Sequence, residues 1–286
     1  MKRSQCVTRF PVEDYDLEAT LTSGQAFRWE SCGDAWVAVV GNRWVRLRQS
    51  TGAIEAETGG AGGDWKWLSH YLQVDLRLKT VVDTFPDDPT LCAAVAACGG
   101  LRLLRQDPWE CLASFILSST KRITQIRQIV DRLCRQYGVP ATGVPEGVSA
   151  FCFPTPERLA RVPEKELRDC KMGFRARYLR EAAMRVAGGS IRLDQLHACP
   201  VEEARRVLME IPGVGRKIAD CVLLFGFGFQ GAFPIDVWIA NGLRELYFQN
   251  RPVSLKQLLE FSAGHFGPFA GYAQQFLFHY LRTGRQ

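Results

Sequence analysis

The sequence predicts an α+β protein: a small antiparallel β-sheet N-terminal domain over residues 1–85, then a mostly α-helical domain over residues 86–286 that contains a helix–hairpin–helix. Three observations predict it. Between residue 10 and about residue 58, apolar and polar residues alternate in short aromatic or β-branched runs. From Asp64 onward the apolar spacing changes to three and four residues, the period of a helix. A tight glycine-rich segment, Ile211–Gly215, then separates two such helical runs.

The expected strands are QAFRWE, AWVAVVG, NRWVRLRQ and GAIEAET, read in order from Gln25 to Thr58. In Arg43–Arg48 the apolar Val45 and Leu47 alternate with Arg46 and Arg48, as on a half-buried strand. Gly59–Gly63 ends the alternation. The helical period predicts helices over Pro89–Ala97, Pro108–Ser118, Thr120–Tyr137, Arg175–Ala187 and Glu202–Glu210. It continues over Arg216–Phe225, Val237–Tyr247, Leu255–Gly264 and Ala270–Leu281. Proline and glycine mark the joints, as at Asp107-Pro108 and Gly267-Pro268.

Bulk properties narrow the class. A net charge of +6 is compatible with a polyanionic partner without requiring one. The 10 cysteines are scattered, with no C-x-x-C pair and no spacing that suits a zinc or iron–sulfur site. They predict free thiols in a reduced, intracellular protein with no bound metal and no cofactor. No apolar run reaches the length of a bilayer span, and MKRSQCVTRF has no apolar stretch behind its basic residues. Neither a membrane span nor a secretory signal is expected.

The segment LMEIPGVGRKIADC, Leu208–Cys221, carries the most chemistry. Glu203–Met209 reads as one helix and Arg216 opens a second. Between them Gly213, Val214 and Gly215 form a hairpin in which glycine permits positive φ and close approach of another backbone. The free N–H groups of the second helix make a site for phosphate, so this arrangement suits a DNA backbone gripped without reading sequence. A plain αα-corner has the same turn chemistry. Lys217 lies just inside the second helix, with Cys221 four residues on along the same face. From Ile218 to Phe229 the only charge is Asp220, so the helix is expected to be buried, and a lysine beside it partly desolvated. Desolvation exposes a neutral amine nucleophile. A lysine at this place can also simply contact phosphate.

In FPIDVW, Phe233–Trp238, an irregular glycine-rich stretch turns into a helix, and Asp236 is placed as its N-cap. Backbone N–H groups and the helix dipole favour the ionised carboxylate there. A fixed anion of this kind suits a reaction with an oxocarbenium-like transition state. Alone it is an ordinary cap; with the hairpin lysine it points to catalysis.

Together these motifs resemble the helix–hairpin–helix DNA glycosylases that carry a Gly/Pro-rich loop and a catalytic aspartate, and within them the 8-oxoguanine DNA glycosylases. The resemblance runs from about Leu21 to Leu281. It rests on SGQAFRW, ECLASFILSS, MGFRARY, IPGVGRKIADC, FPIDV and GPFAGYAQQFLF in that order. It implies base-excision repair of double-stranded DNA containing a damaged purine, 8-oxoguanine, by a monomeric bifunctional glycosylase and abasic-site lyase working with DNA inside the cell. Lys217 is then the nucleophile and Schiff-base former, assisted by the Asp236 carboxylate. Gly24, Cys221, Gln274 and Phe278 make the base pocket. Gln274 and Phe278 share a helix face, where an amide can pair with a purine edge and a ring can stack on it. A backbone carbonyl at Gly24 would accept from N7–H of 8-oxoguanine and repel the bare N7 of guanine.

Two neighbouring glycosylase classes fit less well. Those for alkylated purines usually lack the hairpin lysine. Those for oxidised pyrimidines usually add a C-terminal four-cysteine cluster, and here no cysteine follows Cys221. A non-catalytic helix–hairpin–helix DNA-binding protein would leave Lys217 and Asp236 inert. The DNA-contacting set implied by the resemblance is Gly213, Val214, Gly215, Thr120, Lys121, Gln125, Phe174, Arg175 and Trp238. Several of these depart from the family. Thr120 stands where asparagine usually fills the gap left by the flipped base, and Gln125 where an arginine helps read the orphaned cytosine. Phe174 replaces tyrosine, Trp238 a common histidine, and Arg175 is kept.

A threonine hydroxyl cannot offer the paired donor and acceptor of an amide, and Gln125 lacks a charged fork. The sequence therefore predicts a weaker preference for cytosine opposite the lesion than is usual in the family. Excision rates with C, A, G or T opposite 8-oxoguanine, in wild type and Thr120→Asn, check this. A strong cytosine preference in wild type that the substitution leaves unchanged contradicts it.

Overall fold

The computed structural model describes residues 5–59 and 63–283. Its N-terminal part is a five-stranded antiparallel sheet of strand order β1-β5-β4-β3-β2. The strands are β1 (Gln5–Pro11), β2 (Glu30–Cys32), β3 (Ala35–Val40), β4 (Arg43–Ser50) and β5 (Ala53–Gly59). The alternation expected in β4 is present. Val45 and Leu47 are fully buried, while Arg46 stands opposite Glu57 on β5 and pairs with it at 3.8 Å. Residues 60–62 of the glycine-rich break lie outside the described residues.

Three details differ from the sequence expectation. The sheet gains β1, which pairs along β5 from Gln5↔Gly59 to Pro11↔Ala53. A six-residue helix, Leu17–Thr22, follows it and is capped by Asp16, whose Oδ1 accepts from Ala19 N at 2.8 Å. Most of QAFRWE is not a strand; only Glu30 enters β2. The reason is burial on both sides. Ala26 and Trp29 belong to the core under the sheet, whereas Phe27 belongs to the core of the helical part. Gln25–Trp29 is thus the seam between two cores, and its backbone is held by side chains instead of a ladder. Arg28 completes the seam, donating to the Phe151 carbonyl and pairing with Glu110 at 3.5 Å.

The nine expected helices of the helical part are present, with differences at their ends, and short helices at Pro156–Ala160, Glu164–Leu167 and Leu193–Ala198 are additional to them. The expected Thr120–Tyr137 helix begins at Ile123 because Thr120 takes φ +56 and Arg122 is extended, which no helix tolerates. The helix after the hairpin runs Arg216–Val222 and then widens into a π-turn over Leu223–Phe227 that ends at Gly228, φ +79. No helix among the described residues is long and apolar enough to cross a membrane.

Burying the post-hairpin helix requires a partner for its single acid. Asp220 is 1% exposed, and its Oδ1 accepts from Arg205 Nε at 2.6 Å. Arg205 lies on the preceding helix, Val201–Met209, and also pairs with Glu202; Arg216 reaches Asp220 at 3.6 Å. Burial pushes the Asp220 carboxyl up and the arginines pull it back. One ion pair thus pins the two helices of the hairpin together. Arg205→Met should destabilise the protein by about 3–5 kcal/mol, because it strands a buried carboxylate. Arg205→Met/Asp220→Leu should recover most of that loss. Urea denaturation checks both; a double variant no more stable than the single one contradicts the stranded-charge account.

Candidate active site

Within the hairpin, Ile211 and Val214 are buried, and Val214 N donates back to the Ile211 carbonyl at 3.0 Å. The side chain of Val214 is therefore a core anchor; the exposed parts of the turn are Pro212, Gly213 and Gly215. Gly213 has φ +83, and a Cβ there would lie 2.5 Å from the Tyr178 ring, so the turn admits only glycine.

Lys217 leaves the Arg216–Val222 helix one turn before Cys221. Its Nζ lies 3.5 Å from Ser118 Oγ and 5.1 Å from the centroid of the Phe115 ring, both on the Pro108–Ser118 helix. Lys217 is thus half-buried, with Nζ against an aromatic face and a hydroxyl. Burial pushes the Cys221 thiol up to about 12, with Lys217 pulling it down and Asp236 opposing. The thiol is a neutral wall group within electrostatic reach of both expected catalytic residues. Asp236 is the N-cap of the Val237–Phe248 helix, with Oδ1 accepting from Ile239 N at 2.8 Å. That bond leaves the second carboxylate oxygen without a capping duty.

Gly24 lies between the two parts of the protein. Its φ is +81, and a Cβ there would meet Ile123 Cδ1 at 3.0 Å and Phe278 Cε1 at 3.3 Å. Gly24 and Phe278, far apart in the chain, are therefore neighbours, as the base-pocket reading expects. The turn is clamped on both sides. Gln25 Nε2 donates to the Thr20 and Arg102 carbonyls, and Gln275 Nε2 donates to the Ser23 carbonyl at 2.9 Å. Beside the clamp, Gln274 is 4% exposed and its Oε1 is buried with no hydrogen-bond partner among the described residues. Leaving a buried acceptor unpaired costs about 1–3 kcal/mol, a cost that a bound donor removes. Arg282 connects the pocket to the acid. Its guanidinium lies 5.3 Å from the Phe278 ring centroid and is within electrostatic reach of Asp236.

The residues assigned to DNA contact divide into two groups. Thr120 is brought to the adjacent Phe174 and Arg175 although it is far from them in sequence. Arg175 is 3% exposed; it donates to the Ser119 carbonyl and Thr120 Oγ1 and lies 4.4 Å from the Phe174 ring centroid. Its guanidinium is turned into the protein, where it braces the exposed Thr120 turn. Phe174 and Trp238 are 56% and 60% exposed and present large aromatic surfaces to solvent. Gln125 is exposed, but its Oε1 accepts from Arg122 N at 3.1 Å and caps its own helix; Lys121 is half-buried beside the same turn. Sequence reasoning missed Ser118, Phe115, Gln275 and Arg282. Only Gln275 carried a signal, as a polar residue at a buried helical position beside Gln274.

The chain is similar to known proteins over nearly its whole length. Residues 7–112 match the family described as 8-oxoguanine DNA glycosylase, N-terminal domain, and residues 113–262 match the HhH-GPD superfamily of base excision DNA repair proteins. The N-glycosylase/DNA lyase OGG1 of Arabidopsis thaliana is 31% identical, over 92% of this chain and 76% of its own. A solved structure of MBOgg1 with a low-affinity DNA ligand superposes with TM-score 0.92 at 32% identity, covering 100% of this chain and 98% of that one. The Clostridium acetobutylicum 8-oxoguanine glycosylase/lyase, bound to double-stranded DNA with cytosine opposite 8-oxoguanine, superposes with TM-score 0.90 at 28% identity, covering 100% of each chain. This chain belongs to the 8-oxoguanine DNA glycosylase family of the HhH-GPD superfamily.

Proposed function

We propose that this protein removes 8-oxoguanine from duplex DNA and cuts the strand at the abasic site it makes, acting as a monomer on DNA inside the cell. The observation that carries the reading is the placement of Lys217 on the post-hairpin helix one turn before Cys221, with Asp236 held as a helix cap and Phe278 packed against Gly24. Damaged DNA would be gripped through the exposed Gly213 and Gly215 backbone, and the lesion flipped into the pocket. Phe278 and Cys221 would stack on the base, Gln274 would pair with its edge, and the Gly24 carbonyl would accept from N7–H.

The neutral Lys217 amine then attacks C1′. The N–C1′ bond forms as C1′–N9 breaks, the electron pair leaves with the base, and the base takes up a proton. Asp236 stabilises the cationic sugar as it develops. Opening of the sugar ring converts the lysine adduct to a Schiff base. Loss of a C2′ proton then expels the 3′ phosphate, and hydrolysis returns free Lys217.

Lys217→Gln should retain binding to lesion DNA within about threefold. It should lose borohydride crosslinking and slow single-turnover excision by on the order of 10³. Asp236→Asn should keep its helix cap and also slow excision by orders of magnitude. Undiminished crosslinking in Lys217→Gln removes that lysine from the mechanism.

A further inference from the structure

A cleft opens between β3, β4 and the Ile123–Tyr137 helix, and residues 148–151 complete its wall. Its volume of about 130 Å³ is close to the roughly 150 Å³ of an engineered apolar cavity that takes up benzene. None of the residues assigned to base binding, catalysis or DNA contact lines it. Part of the wall is apolar, built from Phe27, Val37, Trp44, Val130 and Phe151. The rest carries charge, and two of the cations there are already answered. Arg28 pairs with Glu110 at 3.5 Å, and Arg135 Nε donates to the two Asp131 carboxylate oxygens at 2.8 and 2.9 Å. Arg127 is not answered. Its Nε is buried, and its side chain makes no hydrogen bond or ion pair among the described residues. Glu30, in the same wall, is exposed; its charge reaches Arg127 but it forms no ion pair with it. Burial disfavours the Arg127 cation. A buried N–H without an acceptor is costly, and an acceptor bound in the cleft removes that cost.

We propose that this cleft binds a small carboxylate that carries one aromatic ring, with the anion on Arg127 and the ring against the apolar wall. The site is separate from the one that would hold the lesion and does not depend on it. An unpaired guanidinium calls for an anion, and a planar carboxylate fits its forked N–H groups. Glu30 and Asp131 add negative charge to the same wall, so a single negative charge is favoured over a dianion. The apolar wall, with Trp44 and Phe151, stabilises a ring that acetate and phosphate lack. The cleft takes its wall from the sheet, from the Phe27–Arg28 seam and from the helical part. Its ligand therefore binds the folded protein alone and stabilises it.

The test titrates four probes into the full chain: phenylacetate, its neutral isostere phenylacetamide, acetate and inorganic phosphate. Calorimetry gives the affinities, and the nitrogen NMR resonance of Arg127 Nε locates the binding. Phenylacetate should shift that resonance saturably and raise Tm. Phenylacetamide should bind about tenfold more weakly or worse, since it forfeits a charge-assisted hydrogen bond. Acetate and phosphate should not saturate over the same range. Arg127→Met removes the unpaired N–H, so it should fold with a Tm no lower than wild type and lose the preference for phenylacetate over the amide. Glu30→Gln, at an exposed position, removes a competing charge and should tighten phenylacetate binding. Wild type that binds no phenylacetate saturably overturns the site. So does equal affinity for the amide or for acetate, or a preference for phenylacetate that survives in Arg127→Met.

Discussion

The side-chain amide of Gln25 holds the recognition half of this protein in place. Its Nε2 donates to the Thr20 carbonyl at 2.9 Å and the Arg102 carbonyl at 2.8 Å, and its Oε1 accepts from Leu104 N at 2.7 Å. The carbonyl of Gln25 accepts from Gln106 Nε2 at 2.7 Å, and Gln275 holds the Ser23 carbonyl from the far end of the chain. Ser23 and Gln25 are both fully buried. The turn between them cannot shift without stranding several buried polar groups, each at about 1–3 kcal/mol. Gly24 is therefore fixed against Ile123 and Phe278 before any ligand arrives. The proposed discrimination by the Gly24 carbonyl requires that rigidity, since one hydrogen atom distinguishes lesion from normal base at N7.

The catalytic half is held by different means. The Arg205–Asp220 pair lets the helix that carries Lys217 be buried, and the Asp236 cap fixes a carboxylate at a helix start. Where these supports end, the site is left deliberately incomplete. Gln274 Oε1 lacks a hydrogen-bond partner among the described residues. A bound donor can supply there what the fold withholds. Stability is given up there and recovered on binding.

Much of this was legible in the sequence because the signals were local. The hairpin, its lysine and the Asp236 cap each depend on residues a few positions apart, and the helical period reported most helix bounds within two or three residues. What escaped depends on contacts that periodicity does not encode. The segment Gln25–Trp29 looks like a strand because its side chains alternate in character, yet it is buried against two cores and paired by amides. Gln275 is indistinguishable in sequence from Gln274 beside it, although one clamps the Ser23 turn and the other faces no partner. Thr120 adopts φ +56, a conformation strained for a β-branched residue and natural for asparagine, and only coordinates reveal the strain. Gln125, expected at DNA, caps its own helix, and Arg175, expected there too, braces Thr120.

The account holds that base recognition depends on the glutamine-clamped turn whereas strand cleavage does not. Comparison of two rates in Gln275→Met tests this most directly: excision of 8-oxoguanine from duplex DNA, and strand cleavage at a preformed abasic site, which needs no base in the pocket. Removing one buried hydrogen bond from the turn should slow excision by about tenfold or more and leave cleavage at the abasic site within about twofold of wild type. An equal fall in both rates, or no fall in excision, would contradict the claim that the buried amides position Gly24 for recognition.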